Sequence, residues 1–224
     1  MDWGPIVLSL KLSAFTSLAL LIIGLPMSYF LANSKRWWKP LAEALISLPL
    51  VLPPTVIGFY WLIAFSPQSS IGQFLNSVFD LSLVFSFEGL LLASMLYSLP
   101  FMIQPLQMGM QSLNPDMIAQ SRLLSKGEWM TFKKVILPSI RPSILSALVL
   151  TFAHTMGEFG VVLMIGGSIS DRTKVASIAL YEQVELMQYA QAHQYAFILL
   201  ILSFFILVLV RFLNKKSSNL SVNG

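Results

Sequence analysis

The chain has 224 residues, of which 56% are hydrophobic and 11% charged, with a net charge of +4 and a mean hydropathy of +0.75. A soluble domain carries about 25% charged residues, so this chain has too little polar surface to face water on all sides, and the bilayer is its natural solvent. It has no cysteine and only two histidines, His154 and His193, which excludes disulfide frameworks, thiolate metal sites, cysteine nucleophiles and histidine-rich metal centres.

A helix crosses the hydrocarbon with about 20 apolar residues, at about 1.5 Å of rise each. Residues 5–32 form the first such stretch. It is too long for a signal-peptide core, it follows Asp2, and it has no basic flank, so it reads as a retained span. The second, 41–65, contains Pro49, Pro53 and Pro54. Each proline removes a backbone donor, and such a break is tolerated at membrane depth only where protein or a wet cavity satisfies it. The third span is 89–108, with Pro100 and Pro105. The fourth is 140–165, with Glu158 inside it. The fifth is 193–213, and residues 214–224 read as a disordered tail.

Basic residues set the orientation. Lys35, Arg36 and Lys39 follow span one. Arg122, Lys126, Lys133, Lys134 and Arg141 lie between spans three and four, and Arg211, Lys215 and Lys216 close span five. All three clusters fall on one side, which places the N-terminus outside and the C-terminus in the cytoplasm. Lys11 fits neither side and is expected to snorkel toward the outer interface. The outer loops hold Arg172 and Lys174 among Asp80, Glu88, Asp171, Glu182 and Glu185. After the turn cluster "GGSISDRTK", the stretch "VASIALYEQVELM" reads as a short interfacial helix. No soluble domain, repeat or low-complexity tract is evident.

The loop between spans three and four is built as two short helices. Asn114 is the expected cap, Pro115 suits the first position and Asp116 the positive end. The first helix is predicted over 115–125. Gly127 takes a left-handed turn, and a second helix starts near Glu128 and stops at Pro138. Trp129, Phe132 and Ile136 fall at i, i+3 and i+7 on one face, leaving Lys126, Lys133 and Lys134 to water or acidic partners. Two uses remain open: a helix lying on the inner leaflet, or a docking knob for a cytoplasmic protein.

This segment resembles the cytoplasmic "EAA" loop of bacterial ABC importer permeases: Glu-Ala-Ala, three residues, Gly, nine residues, a branched apolar residue, one residue, Leu-Pro. Val135, Leu137 and Pro138 match its end. Ala119, Gln120 and Ser121 stand where Glu-Ala-Ala falls, and Ser125 at the glycine. Two further stretches, "SLPLVLPPTVIGFY" and "FAHTMGEFGVVLMIGGSISDRTKVASIALY", resemble the oxyanion branch of these permeases, molybdate permeases in particular. The second holds Gly157, Glu158, Phe159, Gly160, Arg172 and Thr173 at the family's positions. The similarity spans residues 6–213.

The resemblance implies an all-α polytopic protein of the type I ABC importer permease fold, a single transmembrane domain over 1–224 in a bacterial inner membrane. It implies a homodimer on two copies of a separate ATPase, fed by an outer oxyanion-binding protein, with no cofactor and no nucleic acid. The chain has no G-x-x-x-x-G-K-[ST] phosphate loop, which fits hydrolysis by another subunit. The expected coupling residues are Ala119, Ser121, Ser125, Gly127, Trp129, Phe132, Val135, Leu137 and Pro138. Trp129 and Phe132, backed by Val135 or Ile136, are expected to seat on the ATPase. Pro53, Pro54, Gly157, Glu158, Phe159 and Gly160 are expected along the pathway or gate. Arg172, Thr173 and Lys174 are expected to meet the binding protein.

Glu158 has two readings: a hydrogen-bonded carboxyl holding a helix break between Gly157 and Gly160, or a gate residue lining the pathway. A dianion is repelled by it in either case. His154, one turn earlier, is either a packing residue or its partner. Two other classes compete, a membrane-embedded enzyme and a stand-alone channel. The first lacks an acid, base and nucleophile cluster, and the second needs no docking loop. Within transporters, a permease for sulfate, tungstate or phosphate is the alternative.

Overall fold

A computed structural model describes residues 1–124 and 127–222. Helix α1, Gly4–Asn33, is the first span. Helix α2, Lys39–Ser47, runs into a 3₁₀ turn, Leu48–Leu50, and is followed by α3, Pro54–Phe65. The axis bends by 104° between them, so the single span expected over 41–65 is two helices. Pro53 is extended (φ −54°, ψ 135°), as a residue preceding a proline tends to be, and Pro54 opens α3 at a position that needs no N–H.

Helix α4, Ser70–Phe79, occupies the outer loop. The Ser69 hydroxyl caps it by accepting from Gly72 N at 2.9 Å. Helix α5, Phe87–Gln111, is the third span and is capped in the same way by Ser86. Helix α6, Pro115–Leu124, begins as expected, with the Asp116 amide donating to Asn114 Oδ1 at 2.8 Å. One continuous helical limb follows: α7, Glu128–Thr131, a π turn, Phe132–Ile136, and α8, Leu137–Ser139.

Pro138 therefore does not end the limb. The wider π turn just before it leaves room where a proline ring would strike the carbonyl four residues back. The chain turns by 69° into α9, Arg141–Met156. The last elements are α10, Gly160–Gly166, α11, Ala176–Glu185, and α12, Tyr189–Val222. Helix α12 carries residues 214–222 as backbone helix where composition reads as disorder. Extending a formed helix requires no new nucleus. Residues 223 and 224 lie outside the described residues.

Among the described residues three helices, α1, α5 and α12, are long and apolar enough to cross a membrane, and the number rises to five if each of the two bent pairs counts as one span. The core is assembled as membrane proteins require, by close approach of small residues rather than by hiding oil from water. Helix α1 buries Ser9, Ser13, Thr16, Ser17, Gly24 and Ser28 and exposes Val7, Leu18 and Ile22 to lipid. Its serines satisfy themselves. Ser13 and Ser17 donate to the carbonyls of Ser9 and Ser13 at 2.8 and 2.7 Å, and Ser28 donates across to Ile103 O at 3.3 Å.

Helices α3 and α10 approach most closely at glycines. A Cβ on Gly58 would lie 2.7 Å from Met164 Cβ, and one on Gly160 would lie 2.8 Å from Pro54 Cβ. Gly58→Leu is therefore expected to overpack this contact by about 1–3 kcal/mol. The measurement is the melting temperature in detergent, with Phe59→Leu on the exposed side as the silent control.

The bundle has two distinct ends. One gathers residues 33–39 and 111–118, with Tyr29 against Glu128 and Phe132. The other gathers Asp2 with Tyr195 and Ser9 with Ala176. Lys11 sits 4.9 Å from the centre of the Phe87 ring, at the start of α5. The loops that follow α1 and α5 thus share one end, the end expected in the cytoplasm.

Candidate functional site

The break between α9 and α10 holds a polar cluster at membrane depth. Helix α9 ends at Gly157, and Glu158 follows outside either helix. Its side chain is 1% exposed. It points at α5, where Ser94 Oγ donates to Oε2 at 2.5 Å and Ser98 Oγ to Oε1 at 2.9 Å. Ser98 also lies 2.9 Å from His154 Nδ1 and 2.9 Å from Thr155 Oγ1. One hydroxyl proton and two lone pairs allow all three contacts.

His154 is 3.7 Å from the carboxyl, and its ring stacks on Phe101 at 4.0 Å, with Tyr97 at 4.8 Å. Ser177 of α11 donates to the Glu158 carbonyl. The cluster ties α5, α9 and α11 at one point, and the carboxyl is buried inside the chain.

Phe159 packs on Tyr181 at 5.0 Å and against the cluster around Leu12, Leu90 and Val162. Gly160 meets Pro54, so the expected pathway residues Pro54 and Gly160 come together. Pro53 and Gly157 are exposed beside them. The sequence offered no prior pairing for Ser94, Tyr97, Ser98 and Phe101. Their i, i+3, i+4, i+7 spacing along α5 was the available signal.

In the cytoplasmic loop, Gly127 has φ 136° and ψ 165°. This is not the left-handed helical turn expected but a region that is essentially glycine's alone. Ser121 Oγ reaches Thr131 Oγ1 at 3.4 Å and joins the two limbs. Phe132 and Ile136 turn inward, against Met110 and Ile140, and Phe132 meets Tyr29 edge-on at 5.3 Å.

Of the expected Trp129, Phe132 and Ile136 face, only Trp129 stands out, 73% exposed, stacked on Phe132 at 5.9 Å. Met130 and Leu124 are also exposed on this loop. An open groove of about 580 Å³ runs between the limbs, lined by Met117, Gln120, Ser121, Met130 and Lys134. Ala119 is exposed and Val135, Leu137 and Pro138 are half-buried. Ser125 and Lys126 lie outside the described residues.

At the outer end, Arg172 is exposed, but Thr173 is fully buried. Thr173 Oγ1 donates to Gly166 O at 2.6 Å and accepts from Ile169 N at 3.2 Å. These two bonds tie the ends of the turn together, so Thr173 braces the loop that displays Arg172. Thr173→Val keeps the shape and strands both groups, with an expected cost of about 1–3 kcal/mol. Faster amide exchange at Ile169 than in the parent would report it. Lys174 Nζ is 2.7 Å from Glu182 Oε2, and Ser168 also donates to that carboxylate. Partial burial pushes the Glu182 carboxyl up, but the Lys174 and Ser168 hydrogen bonds and the Lys174 charge outweigh it and hold it below its ordinary range.

The architecture is a helical membrane bundle with two sharply bent helix pairs and a two-limbed loop at one end. Residues 24–219 match the binding-protein-dependent transport system inner membrane component family, and the chain belongs to that family. It is 42% identical, over 92% of its length and 91% of the relative's, to the molybdenum transport system permease protein ModB of Azotobacter vinelandii. It is 30% identical to ModB of Escherichia coli, covering 82% and 80% of the two chains. It is 29% identical to the probable sulfate transport system permease protein cysT of Chlorella vulgaris, covering 91% and 76%.

Among solved structures, the inward-facing MetNI methionine ABC transporter matches at TM-score 0.73 and 15% identity, covering 95% and 94%. An alginate-importing bacterial ABC transporter matches at 0.74 and 15%, covering 96% and 80%. The fold is that of the type I ABC importer permeases, and the chain is a multi-pass subunit of an inner membrane. Permeases of this family work with an ATPase and a substrate-binding protein.

Proposed function

We propose that this chain is the permease subunit of a molybdate importer. The observation that carries the substrate is 42% identity along 92% of the chain to a molybdenum permease, against 29% to a sulfate permease. Two copies form the conduit, an outer oxyanion-binding protein delivers the anion, and a separate ATPase supplies the energy.

The ATPase grips the inward loop at exposed Trp129, Met130 and Leu124. Phe132 and Ile136 anchor the loop to α1, and the limb turns by 69° into α9. A displacement of the loop then travels along the 16 residues of α9, about 24 Å at the helical rise, to the Gly157–Gly160 break. There the Glu158 cluster makes α5 and α11 move with it. Uptake of labelled molybdate into vesicles holding the full complex, competed with tungstate, sulfate and phosphate, tests the assignment. Molybdate should compete best, and stronger competition by sulfate would assign the chain to sulfate instead.

A further inference from the structure

Helix α2 faces the wrong way for a surface helix in lipid with nothing behind it. Leu41, Leu45 and Leu48 point outward and are exposed, whereas Glu43 and Ser47 turn in toward α5. There they meet a glutamine row. Gln104, Gln107 and Gln111 recur at i, i+3 and i+7 and lie along one side of α5. Gln104 Nε2 donates to Ser47 Oγ at 3.2 Å, and Gln107 Nε2 to Glu43 Oε1 at 2.5 Å. Between the helices lies a cavity of about 300 Å³ lined by these five residues, Ile103 and others. It has room for about ten waters at ~30 Å³ each. Side-chain amides inside a span face protein or a wet cavity, not lipid.

We propose that this groove is an oxyanion-binding stretch of the translocation route, with Gln104, Gln107 and Gln111 as its N–H donors; this rests on the permease reading above. Neutral amides suit the task. They offer donors to every oxygen of a tetrahedral anion, yet carry no charge that would hold a dianion in place, and conduction needs a site that releases. The single carboxylate nearby is compensated, since Glu43 Oε1 has Lys39 Nζ at 3.8 Å as well as the Gln107 amide. An arriving oxyanion replaces Ser47 and Glu43 as the acceptor of the two amides. The same exchange frees α2 from α5, so entry of the anion and loosening of the groove are one event.

The absence of native cysteine makes the test direct. Gln104→Cys, Gln107→Cys, Gln111→Cys and, in the lipid-exposed face of α12, Leu200→Cys are each assembled with the ATPase and binding protein in vesicles. They are treated with a negatively charged thiol reagent. The three groove positions should react severalfold faster than Leu200→Cys, and molybdate should slow the reaction where sodium chloride of equal ionic strength does not. Gln107→Leu should lower uptake about tenfold, the loss of one hydrogen bond to a charged group, and Gln107→Asn should restore part of it. Groove cysteines as slow as Leu200→Cys, or fast ones indifferent to molybdate, would overturn the proposal. Uptake by the unsubstituted chain in the same vesicles reports separately on the permease reading.

Discussion

Glu158→Ala is expected to destabilise the folded permease by about 1–3 kcal/mol, whereas Glu158→Gln should melt within about 1 kcal/mol of the parent and keep most of its uptake. Alanine leaves Ser94 and Ser98 of α5 without the acceptor that each now uses. Buried hydrogen bonds to a charged group count for about 1.5–3 kcal/mol in water-soluble proteins but average nearer 0.6 kcal/mol in membrane bundles, so two of them bound the range. Glutamine keeps one oxygen and gains two donors. One serine hydroxyl reverses and accepts, and the tie between α5 and the α9–α10 break survives. The measurement is a thermal melt in detergent beside uptake in vesicles. A well-folded Glu158→Gln chain with no uptake would mean that the carboxylate acts in transport itself, contrary to its burial inside the chain.

Trp129→Ala should weaken association with the ATPase about 30-fold, with uptake falling in step. The indole is 73% exposed on the inward loop, and truncation of an aromatic anchor at the centre of an interface costs about 2 kcal/mol or more. Gly127→Pro should be more severe. The backbone there has φ 136°, which proline, fixed near −65°, cannot adopt. The two limbs then lose their angle and the whole loop its shape. Phe132→Ala makes the contrasting case. Phe132 packs on Tyr29 of its own chain, so its loss should loosen the loop and lower the melting temperature before it touches ATPase affinity. Titration of the purified ATPase against each variant separates the three. Undiminished affinity in Trp129→Ala would remove the indole from the interface.

Most of the fold was legible because its causes are local. Apolar length set the spans, Asn114 and Pro115 set the start of α6, and the proline cluster at 49–54 marked a real break. The sequence did not reveal that the break is a 104° turn, because the angle is set by packing of α3 on α10 through Gly58 and Gly160. Nor did it show α4, whose apolar Ile71, Phe74 and Val78 sit in a stretch that starts as polar loop.

At the site, Glu158 and His154 stood out as rare ionisable residues in a span. Their partners on α5 did not, because Ser94 and Ser98 lie 64 and 60 residues away from Glu158 in the chain. Periodicity says that Trp129, Phe132 and Ile136 share a side, and the fold adds that Phe132 meets Tyr29 of α1 while Ile136 is buried beside Met110 and Ile140.

The central claim is that this chain is a conduit wall driven by a separate ATPase that holds its inward loop. The most direct measurement is accumulation of labelled molybdate in vesicles containing the chain alone, the chain with its ATPase, and the chain with ATPase and binding protein, each with and without ATP. Accumulation above the outside concentration is predicted only for the complete assembly with ATP. Accumulation by the chain alone, or by the complete assembly without ATP, would contradict it.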